Sequence, residues 1–151
     1  NKTSGYMKEE RMMGNASAEA FIGRLERHDI RHMHDPQPDG SHYVAVELAG
    51  KTSILYNVAM VFSADGTEFG IRCYKLGTVP KDRQRPMLKL LNDLNANYAW
   101  VRFFLDSDSE VAAAADAVIT TASAPRVCWE MLRRVFSVLD EVQEKIDKVL
   151  K

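Results

Sequence analysis

The residues in this chain of 151 residues that are best suited to chemistry are four histidines, all between positions 28 and 42. His32 and His34 are two positions apart, a spacing that on a β-strand places both side chains on one face. Together with His28 or a neighbouring aspartate, they would offer a metal ion three ligands. Their spacing matches no established zinc motif, so we favour an exposed helix end and loop. A metal- or small-molecule-binding site at His28, His32 and His34 is the alternative.

The sequence contains none of the common catalytic motifs. It has no Gly-x-Ser-x-Gly turn, no glycine-rich phosphate loop and no cysteine next to a histidine. The acidic turn at 106–109 lacks the ligands and the closing glutamate of a calcium loop. We therefore predict a protein that is not an enzyme and has no cofactor.

The charge balance limits the classes of partner. Twenty basic and 21 acidic residues give a net charge of −1, which provides no long-range attraction to nucleic acid or to an anionic membrane. The basic connection over 81–89 is the best candidate for weak nucleic-acid binding, but such a segment in a neutral protein is usually a solvated loop. We expect nucleic acid to be an unlikely partner, and this connection is kept as a second alternative.

Two cysteines and the hydropathy pattern bear on localisation. Cys73 and Cys128 both lie in apolar segments, as expected for buried free thiols in a reducing compartment. No apolar run is long enough to span a bilayer, and no signal peptide is recognisable. We predict a cytoplasmic protein that does not associate with membranes.

Hydrophobic periodicity predicts the elements that would position these residues. Helices are expected at about 16–28, 86–96 and 125–150, and strands at 42–48, 53–62, 67–76, 98–106 and 110–119. The last strand is contested, because its run of alanines favours a helix while its Val118–Thr121 end favours a strand. The order α-β-β-β-α-β-β-α predicts an α+β fold with an antiparallel sheet flanked by helices.

The first residues differ from the rest of the chain. Residues 1–14 are polar and show no period, so we expect a leader that is flexible or was added by cloning. A single domain is then predicted over 15–151.

The predicted fourth strand carries the strongest signal for a partner surface. Tyr98, Trp100, Arg102 and Phe104 alternate with apolar residues, so a regular strand would place all four on one face. Tryptophan, tyrosine and arginine are enriched in protein-binding hot spots. The competing interpretation is a core strand that is buried on both faces.

The last helix carries an apolar stripe of heptad type. Its apolar residues from Cys128 to Val149 are spaced alternately four and three apart. At about 1.5 Å per residue, the helix would exceed the diameter of a small domain. We therefore expect its end to contact a second copy through Val142, Ile146 and Val149.

Two segments resemble the YbjN domain family. Leu88–Asn95 is similar to that family's helix with paired asparagines, and Trp100–Asp106 is similar to its Arg-Phe strand and acidic turn. The resemblance extends over about residues 18–150. It implies a fold like that of type III secretion chaperones, often dimeric, and a role in regulating sensory transduction. It supplies no catalytic residues.

Together these observations predict a non-enzymatic, protein-binding regulatory domain. Its partner is an unknown protein, and we expect the domain itself to be a homodimer.

Overall fold

Three α-helices and a six-stranded antiparallel sheet make up residues 15–151, the part of the chain that the computed structural model describes. The helices are α1 (Ala16–Arg27), α2 (Gln84–Asn97) and α3 (Ala124–Leu150), and a 3-10 turn (Lys81–Arg83) precedes α2. The strands are β1 (His32–Pro36), β2 (His42–Ala49), β3 (Leu55–Phe62), β4 (Glu68–Cys73), β5 (Arg102–Leu105) and β6 (Val111–Val118). The leader predicted over 1–14 lies outside the described residues.

The strands lie in the order β1-β2-β3-β4-β6-β5, and each neighbouring pair is antiparallel. The predicted α+β class and antiparallel sheet are confirmed. The structure adds β1 before the three strands predicted there. Its sequence, His-Met-His-Asp-Pro, has no apolar alternation, and it becomes a strand by pairing with β2, with Met33 opposite Ala45.

The alanine-rich segment forms strand β6 and lies inside the sheet, between β4 and β5. Ala112 to Ala115 are all fully buried, although they alternate between the two faces. Pairing on both sides outweighs the helix propensity of the alanines. Their small side chains let larger neighbours lie over the strand.

The inner face of the sheet packs against α1 and α3. In β2 and β3, every second residue is buried over most of the strand, which is the pattern of a sheet covered on one side. The core contains a cluster of aromatic rings, Phe21 from α1 with Phe62 and Phe69 from the sheet. No helix in the described part of the chain is long and apolar enough to cross a membrane.

The end of α3 packs on its own domain, which corrects the predicted dimer contact. Val142 and Ile146 are 1% and 0% exposed, and Val149 is partly buried against the core. The segment after β4 covers this end, because Gln143 donates a hydrogen bond to the Leu76 carbonyl at 2.9 Å. The heptad stripe is satisfied within the chain, so a helix of 27 residues needs no second copy to bury it.

Candidate functional site

The outer face of the sheet carries most of the exposed large apolar side chains. Strand alternation turns one residue in two toward this face, and no described helix packs on it. Eight large hydrophobic residues are exposed within residues 15–151, and six of them project from this face. We call these six the outer apolar set: Met33, Tyr43, Leu55, Tyr74, Phe104 and Val118. Apolar side chains grouped on one surface are typical of an interaction site.

Two depressions mark the outer face. The first has a volume of about 720 Å³ and is lined by Met33, Ala45, Leu55, Ala59 and Tyr74, among others. The second has a volume of about 580 Å³ and surrounds Gly70. The small residues of β2, β3 and β4 leave these spaces between larger neighbours, so the face can receive apolar side chains from another molecule.

An ion bridge lies on the same face and joins three strands. The two carboxylate oxygens of Asp116 accept hydrogen bonds from Arg72 and Arg102, each at 2.8 Å. Partial burial raises the pKa of Asp116, but the bonds and charges of both guanidinium groups outweigh it and lower the pKa. A Cβ atom at Gly70 would lie 3.0 Å from Asp116 Oδ1, so the glycine leaves room for the bridge.

The four residues predicted as one aromatic face divide into two groups. Arg102 and Phe104 lie in β5 and project from the outer face, next to β6. Tyr98 and Trp100 lie against α3 instead, with Lys145 over the Tyr98 ring and Arg134 over the Trp100 ring.

The backbone explains this correction. Alternation holds only within a regular strand, and β5 begins at Arg102 rather than at Tyr98. Trp100 adopts a positive φ of 74°, and the Val101 N–H donates to the Ala99 carbonyl at 2.9 Å in a tight turn. The chain therefore turns between the two pairs of residues.

The side chain of Asn95 occupies the free edge of β5. Its Nδ2 donates to the Phe103 carbonyl at 3.0 Å, and its Oδ1 accepts from the Phe103 N–H at 2.7 Å. A neighbouring strand would make the same two bonds. Asn95 belongs to the helix with paired asparagines and Phe103 to the Arg-Phe strand, the two segments that resemble the YbjN family. This contact joins them.

A family model agrees with that resemblance. The model of the YbjN family, described as "Putative bacterial sensory transduction regulator", matches residues 17–148. The chain belongs to the YbjN family. No curated protein gives a significant match.

Solved structures share the YbjN fold with this chain. YbjN, "a putative transcription regulator from E. coli", has a TM-score of 0.56 and 11% identity, covering 85% of this chain and 92% of that one. A chain of the ExsC–ExsE complex has a TM-score of 0.54 and 14% identity, covering 83% and 90%. At these identities the similarity shows the fold alone, an antiparallel sheet flanked by helices, as predicted.

The YbjN fold separates His28 from the other three histidines. Those three stay adjacent, with ring centroids 6.1 Å apart for His32 and His34 and 5.3 Å apart for His34 and His42. His28 stacks on Trp129, with ring centroids 4.2 Å apart. His34 instead approaches His42, with Nδ1 and Nε2 at 3.2 Å, because β1 and β2 form a hairpin. Within residues 15–151, no group of three or more His, Cys, Asp or Glu side chains is arranged to hold a metal ion.

Burial sets the chemistry of the remaining titratable groups. Desolvation, followed by the nearby His34, lowers the pKa of His42, which is 3% exposed. Burial raises the pKa of Cys73 to about 11 and that of Cys128 to about 12. Both thiols are therefore protonated and poorly reactive at neutral pH.

The basic connection lies in the 3-10 turn and the first turns of α2. Lys81, Arg83, Arg85 and Lys89 are all exposed. Arg83 donates to the Lys151 carbonyl at 3.3 Å, so one of these cations ties the turn to the end of α3. Because these cations are exposed, weak nucleic-acid binding through this connection stays the second alternative.

Most of the outer apolar set was not found from the sequence. Met33 lies in the unpredicted strand, and the other members alternate with core residues in strands that were predicted. Alternation identifies two faces but does not say which one the helices cover. This surface would be found by aligning neighbouring strands in register and counting the large apolar residues on each face of the sheet.

Proposed function

We propose that this domain is a non-enzymatic regulator that binds a partner protein on the outer face of its sheet. The observation that carries the proposal is the grouping of six exposed apolar side chains on the face that no described helix covers. Exposed apolar side chains grouped on one face of a protein are typical of a surface to which another molecule binds. The ExsC–ExsE neighbour, a protein complex with this fold, supports protein binding as the function.

The outer face offers both parts of a protein interface. Its two depressions provide apolar contact, and the Arg72–Asp116–Arg102 bridge provides a fixed polar group, with Arg72 and Asp116 lining the second depression. Arginine and aromatic residues contribute strongly to interface energies. Of the residues predicted from the sequence, Arg102 and Phe104 remain in the proposed surface, whereas Tyr98 and Trp100 do not.

Cytoplasmic localisation belongs to the same proposal. Cys73 and Cys128 are both free and buried, which suits a compartment where thiols stay reduced.

Site-specific crosslinking in cells tests the surface. A photoreactive amino acid at Leu55, on the outer face, should give a crosslinked protein that mass spectrometry identifies. The same substitution at Leu88 is the matched control, because this leucine is 53% exposed but lies on α2. Equal crosslinking at both positions, or none at Leu55, would contradict the proposed surface.

Loss of binding then tests the energetics. Phe104→Asp should weaken capture of the crosslinked protein by at least about tenfold, since burying an unpaired carboxylate costs more than about 1.4 kcal/mol. Leu88→Asp should leave the capture unchanged.

A further inference from the structure

The free edge of β1 presents backbone groups that no described residue uses. The Gln37 N–H donates to the Ser41 carbonyl at 2.8 Å, so Gln37 and Ser41 form a hydrogen-bonded pair of the β1–β2 ladder. Because antiparallel pairs alternate, Asp35 and Met33 also face β2, while His34 and His32 direct their N–H and C=O groups away from the sheet. Within residues 15–151, these four groups have no hydrogen-bond partner.

The edge is also chemically self-complementary. From 31 to 35 the chain is Arg-His-Met-His-Asp, so that reading it backwards exchanges the acid and the base and leaves the other three residues unchanged. Arg31, Met33 and Asp35 are exposed on the outer side, and Met33 is 77% exposed. An antiparallel copy of this segment would therefore meet opposite charges at both ends.

We propose that a second copy of this chain pairs antiparallel with β1, centred on Met33, and joins the two sheets. In this register His32 of one copy exchanges two backbone hydrogen bonds with His34 of the other, and the symmetric pair does the same. Arg31 faces Asp35 of the second copy, and the two Met33 side chains meet at the axis. Such an interface is isologous and closes as a dimer.

Neighbouring registers are less favourable. Centring the pair on His34 places Pro36, which has no N–H, opposite His32 and leaves Asp35 opposite a methionine. Centring it on His32 brings Asp35 opposite Asp29, two like charges. Only the register centred on Met33 uses both free histidine backbones and pairs the charges.

The proposed contact leaves the protein-binding face open. Strand addition extends the sheet in its own plane, so the outer face of each copy stays accessible. The dimer would use one member of the outer apolar set, Met33, and leave the other five accessible, so either proposal can fail without the other. Because the paired segment is short, we expect dimerisation to depend on protein concentration in the micromolar range or above.

Charge reversal tests both the dimer and its register. Sedimentation velocity of the full chain over a concentration series should show a monomer–dimer equilibrium. Arg31→Asp and Asp35→Arg should each shift the dissociation constant at least about tenfold toward monomer, because each places like charges opposite one another twice. Glu68→Arg, an exposed reversal on β4, is the matched control and should leave the equilibrium unchanged.

Recombination of the variants provides the decisive result. Mixing the Arg31→Asp and Asp35→Arg proteins should restore dimers, and so should the double variant, since both arrangements recreate the two opposite-charge pairs. A chain that stays monomeric at all concentrations would overturn the proposal. Dimers that survive the single reversals, or that neither combination restores, would overturn it as well.

Discussion

The two edges of the sheet end in different ways. At β5, Asn95 supplies the donor and the acceptor that a further strand would supply, and α2 packs beside the edge. At β1, no described residue pairs with the outward groups of His32 and His34, and Pro36 limits the ladder at one end. Proteins protect strand edges because an open edge recruits other strands. One edge is thus closed by the fold itself, while residues 15–151 leave the other, which we call the open edge, unpaired.

The largest effect is expected at the closed edge. Asn95→Ala removes both partners of the Phe103 backbone, and leaving such groups unpaired costs about 1–3 kcal/mol. We expect the free energy of unfolding, measured by urea denaturation, to fall by that amount.

Asn92→Ala is the control for this change, because Asn92 lies one turn earlier on α2 and is exposed. Its effect should stay within about 0.5 kcal/mol. A similar loss of unfolding free energy in both variants would contradict this prediction. It would mean that the loss comes from replacing an asparagine in α2 and not from the contact with Phe103.

The hairpin of β1 and β2, which carries the open edge, should be the part of the sheet that responds to acid. Burial and the adjacent His34 lower the pKa of His42 below its ordinary value of 6.5, so the unfolded chain binds a proton more readily than the folded one. The stabilisation is complete above about pH 6.5 and is lost as the pH falls toward the folded pKa. Thermal melts between pH 7.5 and 5 should show this decline.

His42→Gln should remove most of that pH dependence, whereas His28→Gln should retain it, because His28 lies against Trp129 rather than beside His34. A decline of equal slope in the His42 variant would place the acid-sensitive group elsewhere in the molecule.

The closed edge and the open edge also differ in how far the sequence predicts them. Strands β2 and β3 follow from alternation, since their buried residues lie two apart, and in β4 only the buried Gly70 interrupts this pattern. Strand β1 does not, because a polar pentapeptide ending in proline becomes a strand only when β2 lies beside it. The two segments that Asn95 joins were recognised through the family resemblance, but the contact itself was not predicted. Its geometry depends on a tight turn at Trp100, where the sequence has neither glycine nor proline.

The candidate surface shows the same limit for side chains. Sequence identified Arg102 and Phe104 because their strand is rich in aromatic residues, but it extended the alternation to Tyr98 and Trp100, across a turn. The stripe on α3 was correctly identified as apolar, and its assignment to a second copy was wrong. A heptad pattern requires an apolar partner, and here α1, the inner face of the sheet and the segment after β4 provide it.

The smallest effect is expected from a substitution at the open edge. Met33→Lys replaces a side chain that is 77% exposed and lies outside the core. At protein concentrations where the chain is monomeric, the free energy of unfolding should change by less than about 0.5 kcal/mol. The same variant should weaken dimerisation, because two ammonium groups would meet at the proposed axis. A large loss of monomer stability would instead show that Met33 belongs to the core, and the contrast between the two edges would then no longer hold.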